Sequence, residues 1–414
     1  MSLWLFPQIT MFLLVLPFTL VALYLFVLTI AACLHPDKLL INGSFTGKHD
    51  PWARFVILIP AHNEELLLGA VIRKLRGLSY PASHYEIAVI ADNCDDKTAD
   101  IAREAGAITL VRNDSDNRGK GQALNWAIKG PLAAWQKPWD ALVVIDADSV
   151  VNPDFLWFMS ERLKQGFQAM QAYYGVDDPS ESWRSALMCS ALSAFHFLRP
   201  LGRDRLGLPC GLKGNGMCFA RRLVERFGYP ATSVVEDVEL ALIYLREGIG
   251  VKFTPGAHVL GQMAATATQA DTQRQRWEGG RLSLVSDWAL PLWREGLKER
   301  NPSKVDAAVD LLIPPLTLLV VPTFLGWAIM LLITIMNPSL LSQSVFGIWS
   351  LVLLALIFYV VWGLILVRAP LTVWMRLSTA PLFVVWKMAV YLGMASKDKS
   401  KQTDWIRTER HDMK

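Results

Sequence analysis

The sequence predicts an α/β domain on a parallel sheet, carried in a membrane by apolar helices at both ends of the chain. Three observations predict it. From about His49 to Gly261, short β-rich runs alternate with helical ones, as in a sheet with crossover helices. Polar clusters follow those β-rich runs directly, where ligands bind in open α/β sheets. Long uncharged apolar stretches flank the domain, and 52% of the 414 residues are hydrophobic, with a mean hydropathy of +0.29.

The elements follow in order. Phe55–Pro60 is a continuous apolar run and reads as the first strand, with a helix over Leu66–Leu78. Glu86–Ala91 is the second strand, followed by a helix near Lys97–Ala105. Ile108–Val111 is a third strand, Gly121–Ile128 a helix, and Ala141–Ile145 a fourth strand. The aromatic-rich stretch Trp183–Leu201 reads as amphipathic or interfacial.

No charge occurs between Met1 and Leu34, and Met11–Leu34 exceeds the roughly 20 residues a helix needs to cross a bilayer. Without a basic n-region it reads as a retained anchor over residues 1–36. Two further spans are expected at Leu311–Met336, kinked by Pro314, Pro315 and Pro322, and at Val345–Val367, within residues 311–367. Arg376 and Lys387 interrupt Pro370–Ala395, so residues 370–395 are expected to be interfacial or re-entrant. Residues 291–310 form an interfacial segment and residues 396–414 a basic tail. Lys38, Arg368 and Lys397–Lys401 put the positive charge on one side, so the catalytic domain (50–290) and the tail are expected on the cytoplasmic face of the inner membrane.

A net charge of +4, evenly spread, argues against a nucleic-acid partner. Five scattered cysteines with no paired spacing suit a reduced compartment. The absence of GxxxxGK[ST], and of GxGxxG after the first strand, removes support for an ATPase and a dinucleotide enzyme.

Several groups can carry chemistry. Asp146-Ala147-Asp148 ends a strand, where two carboxylates can share Mg²⁺ or Mn²⁺ with substrate phosphates; alone, the pattern is also a common turn. In Val234–Glu239 a carboxylate can take a proton from an acceptor hydroxyl, although acidic helix starts are commoner as dipole partners. Gln273–Trp277 offers Arg for a diphosphate and Trp for stacking, or a snorkelling juxtamembrane helix. Asn117–Asn125 places cations before a helix start. Among seven histidines, His258 is expected to be structural rather than a metal ligand.

In sequence order, PAHNEE, ADNCDD, NRGKGQALN, DADS, VVEDVEL and QRQRW resemble the inverting family 2 glycosyltransferases. The membrane branch with cellulose, chitin-oligosaccharide and hyaluronan synthases is the most similar. The resemblance, over about Phe55 to Trp277, implies a GT-A fold with a UDP-sugar across the sheet's carboxyl edge. It implies that Ala61 and Glu64 line the nucleotide pocket, that Asp92 contacts the base and that Lys120 lies near the diphosphate. It further implies that Asp146 and Asp148 hold Mg²⁺ or Mn²⁺, Asp148 more directly, and that Asp237 is the general base. Gln273, Arg276 and Trp277 would close over the donor and help form the acceptor site.

DNCDD departs from the usual DDGS type, and Gly211–Gly216 (GLKGNG) departs from the cellulose-synthase form on the acceptor side. The expected product is a β-linked poly- or oligosaccharide. Few spans for polymer secretion leave room for a homo-oligomer or an export partner, and for one sugar passed to ceramide, diacylglycerol or a polyprenyl phosphate. A transport or scaffold subunit is the non-enzyme alternative.

Overall fold

The computed structural model describes residues 4–34, 44–45, 47, 50–231, 233–262, 280–281 and 283–379. Helix α1 (Leu5–Cys33) opens the chain. The sheet begins with β1 (Phe55–Ala61), α2 (Leu68–Arg76), β2 (Tyr85–Asp92), α3 (Thr98–Glu104), β3 (Ile108–Arg112), α4 (Lys120–Lys129) and β4 (Ala141–Val144). It continues through β5 (Ser149–Val151), α5 (Phe155–Lys164), β6 (Ala169–Val176), α6 (Trp183–Leu192), a π-helical turn at Ser193–Leu198 and α7 (Arg199–Arg205). Then come β7 (Met217–Ala220), α8 (Arg221–Phe227), α9 (Glu236–Arg246) and β8 (Lys252–Gly261). Further α-helices among the described residues are α10 (Leu290–Lys298), α11 (Pro302–Leu312), α12 (Leu316–Met336), α13 (Leu340–Leu366) and α14 (Leu371–Arg376).

The sheet has eight strands in the order β3-β2-β1-β4-β7-β6-β8-β5. Across β3-β2-β1-β4 all pairings are parallel, with Ala61 level with Ala91 and Leu58 with Val144. The carboxyl ends of β1, β2 and β4 therefore share one edge. Beyond β4 the sheet is mixed rather than parallel: β7 runs antiparallel to both β4 and β6. The cause is the long α6–α7 excursion, after which the chain re-enters the sheet from the opposite end. Helices on both faces make the central strands apolar throughout: in β1 only Pro60 is not fully buried. Leu68, Val71, Ile72 and Leu75 give α2 its buried stripe.

α1, α12 and α13 are long and apolar enough to cross a membrane, at 29, 21 and 27 residues. Their outward faces expose large apolar side chains such as Phe6, Leu20, Leu332 and Leu351. Ser339 caps α13 in a capping box with Ser342. Gly326 on α12 lets the Trp349 ring of α13 sit where a Cβ would lie 2.4 Å away, and the Trp349 indole donates to the Met11 carbonyl of α1 at 3.3 Å.

The expected span at Leu311–Met336 starts later. Asn301 caps α11, which ends at Leu312 because Ile313 precedes Pro314 and is extended. Pro314-Pro315 thus form a joint between α11 and the span, and Leu311 belongs to α11. Trp183–Leu201 is a buried rod under the sheet: α7 meets α1 so closely that a Cβ on Gly202 would lie 2.3 Å from the Leu28 carbonyl. Of residues 370–395, the described part holds α14, whose Val373 is fully buried in the apolar core around the sheet; the rest lies outside the described residues.

Candidate active site

One side of the site is built where β1 and β2 end. Asn63, two residues past β1, and Asn93, one past β2, both hold left-handed backbone (φ 56° and 51°), a conformation in which Asn is over-represented and which favours tight turns. Asn63 Oδ1 accepts from the Asp95 N–H at 3.0 Å, and Asn93 Oδ1 accepts from the Asp114 N–H at 2.8 Å, locking the two loops to their neighbours. Ala61 is buried at the end of β1, and the Glu64 N–H donates to Thr98 Oγ1 at 2.7 Å.

Asp92, at the end of β2, is nearly buried. Its Oδ1 accepts from Arg112 Nη1 at 2.6 Å and from Asn93 Nδ2 at 2.9 Å. Burial raises the Asp92 carboxyl above its ordinary value, and Arg112 only partly opposes this. Arg112 also grips Asp114 at 2.9 Å and the Asn117 carbonyl at 2.6 Å, which fixes the loop leading to α4. Its place at the end of β3 was the one sequence signal for it.

The DxD pair follows β4. Asn215, fully buried, organises it. Its Oδ1 accepts from the Asp146 N–H at 3.1 Å, and its Nδ2 donates to Ser149 Oγ at 2.8 Å. Ser149 Oγ in turn donates to Asp148 Oδ1 at 3.0 Å. The Lys120 ammonium pairs with Asp146 and donates to the Gly214 carbonyl at 2.6 Å. Among the described residues no third His, Cys, Asp or Glu gathers with these two aspartates as a metal cage. Two carboxylates that leave the other positions to phosphate oxygens and water fit the donor set of Mg²⁺ or Mn²⁺ held with its substrate.

Asp237 stands in the first turn of α9. A Cβ on Gly214 (φ 79°) would lie 3.5 Å from its Oδ2, so the Gly211–Gly216 loop borders both Asp146 and Asp237. Burial pushes the Asp237 carboxyl above its ordinary value, opposed by the Val238 N–H and by the charges of Lys213 and Lys120. Asp237, Lys120, Asp146 and Asp148 thus surround one loop, while Ala61, Glu64 and Asp92 lie further along the same edge. Gln273, Arg276 and Trp277 lie outside the described residues. His258 is structural: its N–H donates to Asn152 Oδ1 at 2.8 Å, and its ring Nε2 lies 2.9 Å from the Pro255 carbonyl oxygen.

Beneath the cleft lies an ionic junction that the motifs did not announce. Arg199 and Arg203 of α7 each meet Asp310 of α11 at 3.0 Å, and Arg203 Nε donates to Asp306 at 2.8 Å. Tyr24 of α1 donates to Asp306 at 3.0 Å. Burial alone would raise Asp310, but Arg203, Arg199, Lys213 and Arg281 outweigh it and hold the carboxyl well below its ordinary value. Between junction and cleft is a cavity of about 50 Å³ touching Phe195, Lys213, Val238, Leu242, Arg281 and Asp310.

A family model described as Glycosyltransferase like family 2 matches residues 53–280. The chain is 29% identical over 280 residues to the β-monoglucosyldiacylglycerol synthase of Trichormus variabilis, covering 64% of this chain and 56% of that protein. It is 25% identical over 241 residues to the poly-β-1,6-N-acetyl-D-glucosamine synthase of Staphylococcus aureus, covering 56% and 55%. The chain thus spans little more than half the length of these relatives. Among solved structures it is similar to the mannosyltransferase PcManGT from Pyrobaculum calidifontis in complex with GDP-Man and Mn²⁺, with a TM-score of 0.44 and 16% identity over 82% of this chain and 98% of that one. It is also similar to glucosyl-3-phosphoglycerate synthase from Mycobacterium tuberculosis, with a TM-score of 0.37 and 20% identity over 55% of this chain and 76% of that one. The family match takes in more than half of the 414 residues, and the chain belongs to the glycosyltransferase like family 2.

Proposed function

We propose that this protein transfers a sugar from a nucleotide-sugar donor, UDP-linked, to an acceptor hydroxyl at the cytoplasmic face of the inner membrane, with inversion at the anomeric carbon. One observation carries the reading: the Gly211–Gly216 loop holds the DxD pair through Asn215 and borders Asp237 through Gly214. A diphosphate-binding pair and a base on the two sides of one loop are what a single displacement needs.

Asp92 and Glu64 would meet the nucleoside and Lys120 the diphosphate. Asp146 and Asp148 would hold Mg²⁺ or Mn²⁺, which supplies charge neutralisation for the leaving diphosphate. Asp237 takes the proton of the acceptor hydroxyl as its oxygen bonds to the anomeric carbon. The bond from that carbon to the diphosphate oxygen breaks, and its electron pair leaves with the nucleoside diphosphate. Gln273, Arg276 and Trp277 would close the donor side.

The acceptor is a membrane lipid hydroxyl in our reading. Leu242 and Leu245 of α9 pack on Ala307, Ala308 and Leu311 of α11, which leads through Pro314-Pro315 into a span, so the base is tied to the membrane-spanning part of the chain. The relatives named for monoglucosyldiacylglycerol synthesis support this reading. A saccharide chain as acceptor is the second reading, favoured by the QxxRW pattern and by the relative named for a poly-N-acetylglucosamine product.

The test supplies purified protein in vesicles containing diacylglycerol with labelled UDP-sugars and Mn²⁺ or Mg²⁺, and separates the products by size. One labelled glycolipid, absent with chelator and absent in Asp237→Asn, is expected. A ladder of saccharides would select the second reading, and no transfer from any donor would reject both.

A further inference from the structure

Lys213 takes no part in the family motifs, yet it stands between the base and the junction. Its backbone N–H is anchored by Gln171 Oε1 at 2.8 Å, and Gln171 Nε2 donates to the Asn215 carbonyl at 2.7 Å, so one side chain fixes both Lys213 and the asparagine that holds the DxD pair. Its ammonium sits 4.1 Å from the centroid of the Phe195 ring, on the wall of the cavity that also touches Val238, the neighbour of Asp237. Among the described residues it makes neither a hydrogen bond through Nζ nor an ion pair. A cation in a low-dielectric wall that meets a ring face rather than a carboxylate spreads its field over the nearby Asp237 and Asp310.

We propose that Lys213 is a positioning residue for the transfer reaction, which keeps Asp237 ionised from across the cavity wall and so sets the lower end of the working pH range. The proposal rests on the reading of Asp237 as the base. The groups acting on Asp237 are Lys213 from the loop, Lys120 from α4 and the Val238 N–H of its own helix. Tyr229 lies near it, with Glu236 and Asp146 in the same field. Lys213 is itself pushed down to about 8 by burial, with Asp310 opposing and Arg199 and Arg281 adding to the shift. The ammonium form therefore prevails at neutral pH. The sign follows: removing a cation makes the Asp237 carboxylate harder to form, so loss of Lys213 raises its pKa and moves the acid limb of kcat/KM to higher pH.

The experiment measures kcat/KM against pH for the full-length protein in lipid and for Lys213→Met, Lys213→Gln and Lys213→Arg. In parallel, carbodiimide labelling of Asp237 is followed against pH by peptide mass spectrometry, a readout independent of turnover. In Lys213→Met the acid limb and the labelling midpoint are expected to move up together by up to about one pH unit, with roughly tenfold lost rate below the limb and little above it. Lys213→Arg is expected to restore the wild-type midpoint. Lys213→Gln covers the case in which Met lowers the melting temperature too far for assay. A uniform loss of rate with both midpoints in place would make Lys213 merely structural and overturn the proposal, as would an Arg variant that behaves like Met. If the wild type transfers no sugar, the labelling midpoints still decide the Lys213 proposal while the reading of Asp237 as a base fails separately.

Discussion

Asp237 and Asp310 lie on neighbouring helices with Lys213 in the field of both, and they end in opposite states. Asp310 is in contact with two guanidiniums, and its carboxyl is held well below the ordinary range. Asp237 makes no ion pair among the described residues, and burial pushes its carboxyl up. A carboxylate satisfied inside the protein holds parts together. One left short of cations is free to accept a proton, at some cost in stability.

The sharpest way to break this contrast is Asp237→Asn. Transfer should fall about 10³-fold, while the melting temperature stays equal or rises, because a poorly compensated buried charge is gone. A comparable fall in both would place Asp237 in the scaffold. Asp310→Asn should do the reverse and destabilise by about 3–5 kcal/mol, since two guanidiniums lose their partner. Because the Asp310 carboxyl is depressed, its contribution is present above the ordinary carboxylate value and is lost as pH falls through the folded value. The stability gap in urea titrations should thus persist from neutral pH down and close below about pH 4.

Asp148→Asn tests the other side of the cleft. The Mn²⁺ concentration for half-maximal transfer should rise about tenfold or more with the metal-free melting temperature unmoved; an unaltered metal response would remove Asp148 from that role. The smallest change is Tyr24→Phe, which deletes one hydrogen bond to Asp306 and should cost about 1 kcal/mol in urea titrations, with no effect on the pH profile.

The parallel half of the sheet was legible because its strands are unbroken apolar runs such as FVILIP, and the carboxylates that follow them were found with it. The mixed half was not. β5 has three residues, β7 has four and follows a glycine-rich turn, and β8 carries Pro255-Gly256 in its middle. Neither length nor periodicity marks such strands. Asn215 escaped notice for another reason: an asparagine between two glycines looks like a turn, and its three polar partners lie 44 to 69 residues away. The junction is hidden in the same way, since Arg199 and Asp310 are 111 residues apart.

The junction also bears on where this molecule could be cut. The region matched by the family ends at residue 280, but among the described residues Arg199 and Arg203 inside it find their aspartates only on α11. A chain trimmed before Leu290 would keep every motif and strand it described, yet strand two guanidiniums in an apolar wall and uncover the Leu242–Leu245 face. The smallest autonomous folding unit is therefore larger than the homologous one, and the excised domain is a poor starting point for a water-soluble version of the enzyme.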